Sequence, residues 1–226
     1  MKAMRKAGVD VLYGFADALD QAGDRSREFI SRYFLTWSRG IARWDRVGEP
    51  RKAIEAGGMA CEISIKGVIA QKGGPDLAYN ILPESGGLNK TVYQEGEEVI
   101  ISLKITRDSY LYIFSVDEEN KTWLVFPNRY LKENRIAAGA EFRYPPTGSG
   151  LQMKAALPPG RTEAMEFLHI ISVKNNRLLD LEETKEFKLN DYLLLDFGDF
   201  SKLAERLGKL DRSEWTMAVL PYELRK

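Results

Sequence analysis

The 226-residue sequence predicts an α+β protein: a C-terminal antiparallel β-sandwich with one short helix, preceded by a small domain of helices and an antiparallel strand pair. Three observations predict it. Apolar residues recur at helical spacing through the first 37 positions and then alternate from Met59 to Ile65. From residue 92 onward, short alternating or doubly apolar runs are joined by Gly, Pro and Asn turns, the pattern of a sandwich. One aspartate-capped amphipathic stretch near the end interrupts those runs.

Taken in order, Met4, Ala7, Val11, Leu12, Phe15, Ala18 and Leu19 form one helical stripe that Gly23 stops. Phe29, Ile30, Tyr33, Phe34 and Trp37 form a second, with Ser26 as its cap and Gly40 at its end. In "MACEISIKGVIA", Met59, Cys61, Ile63 and Ile65 alternate with polar or small residues, as in a half-buried strand. Its expected antiparallel mate is "GIARWDRV", with "GEPRKAIEAGG" as the connection. These elements make a domain over 1–71. The Gly- and Pro-rich segment 72–91 reads as a linker packed on the surface through Leu77, Tyr79, Ile81 and Leu82. A sandwich domain occupies 92–226.

Within that domain, Val99, Ile101, Leu103 and Ile105 alternate as one strand face. Next comes a hairpin, "YLYIFSVDEENKTWLVFPN". Tyr110, Tyr112, Phe114 and Val116 share one face of its first strand, and Leu111, Ile113 and Ser115 the other. Its return strand sets Trp123 and Val125 against Leu124 and Phe126. Apolar residues on both faces predict a central strand pair buried on both sides rather than an exposed ledge for a ligand. "AEFRYPP", "EAMEFLHIISVKN" and "EWTMAVLPYEL" supply further strands. Asp199 caps "FSKLAERLGKL", whose Phe200, Leu203, Leu207 and Leu210 form one narrow stripe.

Composition bounds the function. An apolar fraction of 44% and a charged fraction of 29% are those of a folded globular chain. Lysine plus arginine and aspartate plus glutamate both number 33, and this neutrality argues against a dedicated nucleic-acid binder. Cys61 is the one cysteine, so no intramolecular disulfide forms. No run approaches the ~18 apolar residues of a membrane-spanning helix. Asp10 and Asp17 interrupt what would have to be the apolar core of a signal peptide. The chain is therefore expected to be cytoplasmic, or periplasmic with its targeting segment absent from this sequence.

The candidate chemistry is sparse. Strand alternation places His169, the single histidine, with Phe167 and Ile171, opposite Glu166, Leu168 and Ile170. It reads as a structural histidine, and Cys61 as a small buried residue. A Cys61–His169 nucleophile pair would have to meet across the domain boundary. "DEEN" at 117–120 reads as a solvated turn, because it lacks the spacing of a calcium loop. No phosphate-binding, nucleophile-elbow or zinc motif is found, so no catalytic residue, cofactor or metal is assigned. The most suggestive binding stretch is "RYFLTWSRGIARWDR". There Arg39, Arg43 and Trp44 are the candidate contacts, while helical phase turns Tyr33 and Trp37 toward a core. Asn128 and Arg129, in the loop after the hairpin, complete the candidate binding set.

The stretch "VYQEGEEVIISLKITRDSYLYIFSVDEENKTWLVFPNRYLKENRIAAGAEFRYP" resembles bacterial domain of unknown function family 4384. The resemblance continues through the "PPGRTE" turn and "FSKLAERLGKLDRSEWTMAV", covering residues 92–220. It implies a non-catalytic accessory module, common in exported proteins or attached to enzymes and kinases, with no established catalytic residues. It also shifts the expected location toward the bacterial envelope. The N-terminal part is similar to small α+β modules of envelope and flagellar-assembly proteins. The resulting expectation is binding or assembly at the cell envelope, with another protein or an envelope component as partner. The rivals are a hydrolase using carboxylates or the Cys61/His169 pair, and a nucleic-acid module using residues 32–46.

Overall fold

The structure is a computed structural model and describes residues 42–46, 51–55, 58–62, 65–69, 75–119, 121–175, 178–179, 185–189 and 192–226. The two helices expected within residues 2–37 lie outside the described residues. β1 (Ala42–Arg46) pairs antiparallel with β4 (Ile65–Ile69), which joins the two segments expected to pair. "MACEISIKGVIA" contributes to two of the described strands. Its first half is β3 (Gly58–Glu62), paired antiparallel with β2 (Arg51–Glu55), which lies in the stretch read as a connection. Only two residues separate β2 from β3, so each is the other's nearest antiparallel partner in the chain.

The rest of the described chain is built mainly of antiparallel strands with a single helix near its C-terminus. Three strands form a small sheet: β5 (Ile81–Leu88), β7 (Ile101–Ile105) and β11 (Glu141–Tyr144), in the order β11-β7-β5. The segment 72–91, expected to be a linker packed on the surface, supplies β5 and the buried Tyr79 to this layer. Pro83 and Gly87 masked the strand in the sequence. An edge strand tolerates both, and the pairing with β7 shifts register between Pro83 and Leu88.

The large sheet has eight strands. It runs β13 (Lys185–Leu189), β14 (Tyr192–Asp199), β9 (Lys121–Phe126), β8 (Ser109–Val116), β12 (Glu163–Val173), β15 (Trp215–Arg225) and β6 (Val92–Gln94), with β10 (Arg135–Ile136) also on β8. All pairs are antiparallel except β15 with β6. The β8–β9 hairpin lies at the centre, and both its faces are buried. Tyr112, Phe114 and Val116 join Phe167 and Ile171 in one core, while Leu111 and Ile113 join Leu168 and Ile170 in the other. Burying each large side chain contributes about 1.5–3 kcal/mol, so this hairpin is a main source of stability. One face assignment changes. A register shift between Ile113 and Phe114 puts Phe126 beside Val125 in the same core, because a bulge adds a residue and breaks the strict alternation.

The small sheet covers one face of the large sheet. Ile101, Leu103, Ile105 and Phe142 meet Leu111, Ile113, Leu168 and Ile170 there. The opposite face is covered by α1 (Phe200–Lys209) through Phe200, Leu203, Ala204 and Leu207. Asp199 caps α1 by accepting a hydrogen bond from the Ser201 N–H at 2.7 Å. His169 is buried under this helix, its ring 4.8 Å from that of Phe200 and its Nδ1 3.4 Å from Met217 Sδ. Burial pushes its pKa down to about 3. No helix of the described residues is long and apolar enough to cross a membrane.

Candidate functional site

Strand register places four polar or amphipathic side chains in one row across the large sheet. Tyr222 on β15 lies opposite Glu166 on β12, and Ser115 on β8 lies opposite both Leu168 on β12 and Trp123 on β9. Residues opposite each other, or two apart on one strand, share a face. Tyr222, Glu166, Ser115 and Trp123 therefore continue the face that carries Ile113, Leu168 and Ile170. The small sheet does not cover this end, and a cleft of about 750 Å³ opens over it.

The cleft is walled on one side by the β8–β9 turn and on the other by the strandless stretch around Leu151, Met153 and Pro158. That stretch is tied down by backbone bonds: Val99 N–H to the Met153 carbonyl at 2.8 Å and Ala155 N–H to the Glu97 carbonyl at 2.9 Å. The turn, expected to be a free solvated tip, is anchored. Asp117 Oδ1 accepts the N–H groups of Glu119 and Lys121 at 2.8 and 2.9 Å. Glu118 accepts the Met165 N–H at 3.0 Å and lies 3.7 Å from Arg161.

Glu166 is the centre of the floor. Its Oε2 accepts hydrogen bonds from the Ser115 hydroxyl at 2.9 Å and from the Tyr222 hydroxyl. Burial raises its carboxyl above the usual range, and the charges of Asp117 and Glu118 raise it further. The Tyr222 phenol is raised as well, by burial and by Glu166. Burial also raises Asp117. Glu166 Oε1 has no hydrogen-bond partner among the described residues, and the side chain lines the cleft. The Trp123 indole N–H, by contrast, is buried without a partner in a side chain that lines the same cleft.

The sequence-derived candidates fall in different places. Asn128 lines the cleft, but its amide is committed: Nδ2 donates to the Val125 carbonyl and the Tyr144 hydroxyl, and Oδ1 accepts from the Tyr130 and Leu131 N–H groups. It holds the loop in shape. Tyr144, donating to the Val125 carbonyl, is pushed up to about 12 by burial. Arg129 is not in the cleft lining; its guanidinium lies 4.7 Å over the ring of Tyr130, which is, and bonds to that hydroxyl at 2.6 Å. Tyr130 is 58% exposed. Arg43 and Trp44 occupy β1 opposite Val68 and Gly67. Their side chains, the whole of Arg39 and the side chain of Cys61 lie outside the described residues.

Sequence reasoning passed over Glu166, Ser115 and Tyr222. The available signal was a carboxylate sharing a strand face with Leu168 and Ile170. Among the described residues, no group of three His, Cys, Asp or Glu is arranged to hold a metal ion. No curated protein matches the sequence. A family match covers part of the resemblance read over 92–220, running from β6 into β12: residues 92–169 match the family described as Domain of unknown function (DUF4384).

Proposed function

We propose that this chain is a binding or assembly module of the bacterial cell envelope, which engages another protein through the cleft and catalyses no reaction. The observation that supports this most directly is the cleft itself. It is a concave, mixed apolar and polar site of about 750 Å³ built on rigid strands, a size and make-up typical of ligand sites. Its polar groups are mostly fixed by internal bonds, as in a preformed recognition surface. The envelope setting rests on the resemblance of 92–220 to a family common in exported bacterial proteins.

A hydrolase built on Glu166 and Asp117 finds less support. Asp117 Oδ1 is held by two backbone N–H groups as a turn anchor. His169, the one imidazole, is buried against α1 on the other face of the sheet.

The test is site-specific photocrosslinking in the native bacterium, with a benzophenone side chain at Tyr130 on the cleft rim. The control position is Leu77, 82% exposed and outside the cleft lining. A discrete adduct at Tyr130 is expected, reproduced when the identified protein is purified and mixed with the chain. Equal adducts from both positions, or none at the rim, would overturn the assignment.

A further inference from the structure

We propose that the cleft receives a positively charged side chain, lysine or arginine, of a partner polypeptide, and that Glu166 is the group that binds it. This rests on the reading of the cleft as a recognition surface and names what it recognises.

Glu166 is oriented for such a role. Two hydroxyls fix Oε2, which leaves Oε1 as the oxygen without a partner. No lysine or arginine forms an ion pair with Glu166 among the described residues. Arg161, on the cleft wall, is turned to Glu118 instead. A partly buried carboxylate without a cation is costly, and the nearby charges of Asp117 and Glu118 add to that cost. An incoming ammonium or guanidinium would be attracted by all three carboxylates. It would also complete a charge-assisted hydrogen bond to an acceptor already in position. A glutamine of the same shape would avoid the burial cost, and only the carboxylate offers a charge to a cationic ligand.

The aromatic lining fits the same ligand. Tyr222 is next to Glu166 in the row and Trp123 stands beyond Ser115 in the same lining, and ring faces attract cations. The Trp123 ring already has one nearby, with Lys121 Nζ 5.9 Å from its centroid. The cleft lining carries Lys121, Lys154 and Arg161 against Asp117, Glu118, Glu119 and Glu166, one carboxyl group more than it has cations. A polypeptide suits the space better than a free amine. The volume far exceeds one charged group, and Leu151, Met153, Pro158 and Met165 give apolar wall for the residues on either side of it.

The experiment measures binding of fluorescein-labelled nonapeptide pools to the full chain by anisotropy. The central residue is fixed as lysine, arginine, norleucine or glutamate, and the other positions are degenerate. The lysine or arginine pool is expected to bind at least about 10-fold more tightly than the norleucine pool, the scale of one charge-assisted contact. Glu166→Gln should reduce that preference to less than about 3-fold while leaving the melting temperature unchanged or higher, since it removes a buried charge. Should that variant fold poorly, Glu166→Asp keeps the charge, shortens the reach and should weaken the same preference. Equal binding of the norleucine pool would overturn the cationic ligand and leave the cleft reading intact. An undiminished preference in Glu166→Gln would overturn the role of Glu166. Competition by spermidine as strong as that of unlabelled peptide would overturn the polypeptide. Binding by no pool would remove both the inference and the cleft reading beneath it.

Discussion

Acid should destabilise this fold through His169. The imidazole is buried between the large sheet and α1, and burial pushes its pKa down to about 3. An unfolded histidine titrates near about 6.5. Between those values the unfolded chain binds a proton that the folded chain refuses. The contribution of the neutral, buried imidazole is thus complete above pH 6.5 and is lost as pH falls toward 3. At about 1.4 kcal/mol for each pH unit spent in that window, going from pH 7 to pH 4 removes about 3 kcal/mol. Urea unfolding at pH 7, 5.5 and 4, followed by tryptophan fluorescence, measures this directly. The comparison is with His169→Leu, which has a similar volume and suits the apolar contacts with Phe167, Ile171 and Phe200. Carboxylates elsewhere titrate alike in both proteins and cancel in the difference. The wild type should lose about 3 kcal/mol more than the variant over that range. Parallel pH dependence of the two would show that the imidazole reaches solvent in the folded state, and the burial argument would fail.

Two further substitutions probe packing and capping. Gly87 has φ +85°, and a Cβ there would lie 2.7 Å from Leu220 Cδ1 and 3.0 Å from Pro83 Cβ. Gly87→Ala should therefore cost about 1–3 kcal/mol in chemical denaturation, and an unchanged midpoint would show that β5 yields freely. Asp199→Ala removes the cap of α1 and should cost about 1 kcal/mol; a calorimetric melt with no decrease would mean that the Ser201 N–H finds another acceptor.

Much of the architecture could be read from period alone. β7, the β8–β9 hairpin, β12, β15 and α1 each carry an apolar repeat matched to their own geometry, and their neighbours in space reinforce it. β5 was missed because "ILPESGGL" carries Pro83, Gly86 and Gly87, which suppress a strand signal that only pairing with β7 restores. β6 is three residues long, too short to show a period. The bulge that turns Phe126 toward Val125 depends on register with β8, which local sequence does not encode. The site was less legible than the fold for a related reason. Alternation put Glu166 on the face with Leu168 and Ile170, and the structure agrees. Whether that part of the face is core or cleft depends on where the second sheet ends, and residues distant in the chain decide it. Asn128 lines the cleft, and its bonds show that it shapes the loop.

The mismatch in width between the two layers has a consequence for how such a domain can vary. Three strands cannot roof eight, so an uncovered strip is built into the architecture. Its floor follows the strand register, so its backbone cannot be moved without disturbing the core. One of its walls begins with Gly150 to Gln152, which is exposed or half-buried, carries no strand and can change in length and composition at little cost to folding. A domain made this way can keep one scaffold while its wall is remodelled for different partners. Diversity among relatives would then concentrate in that single stretch of chain.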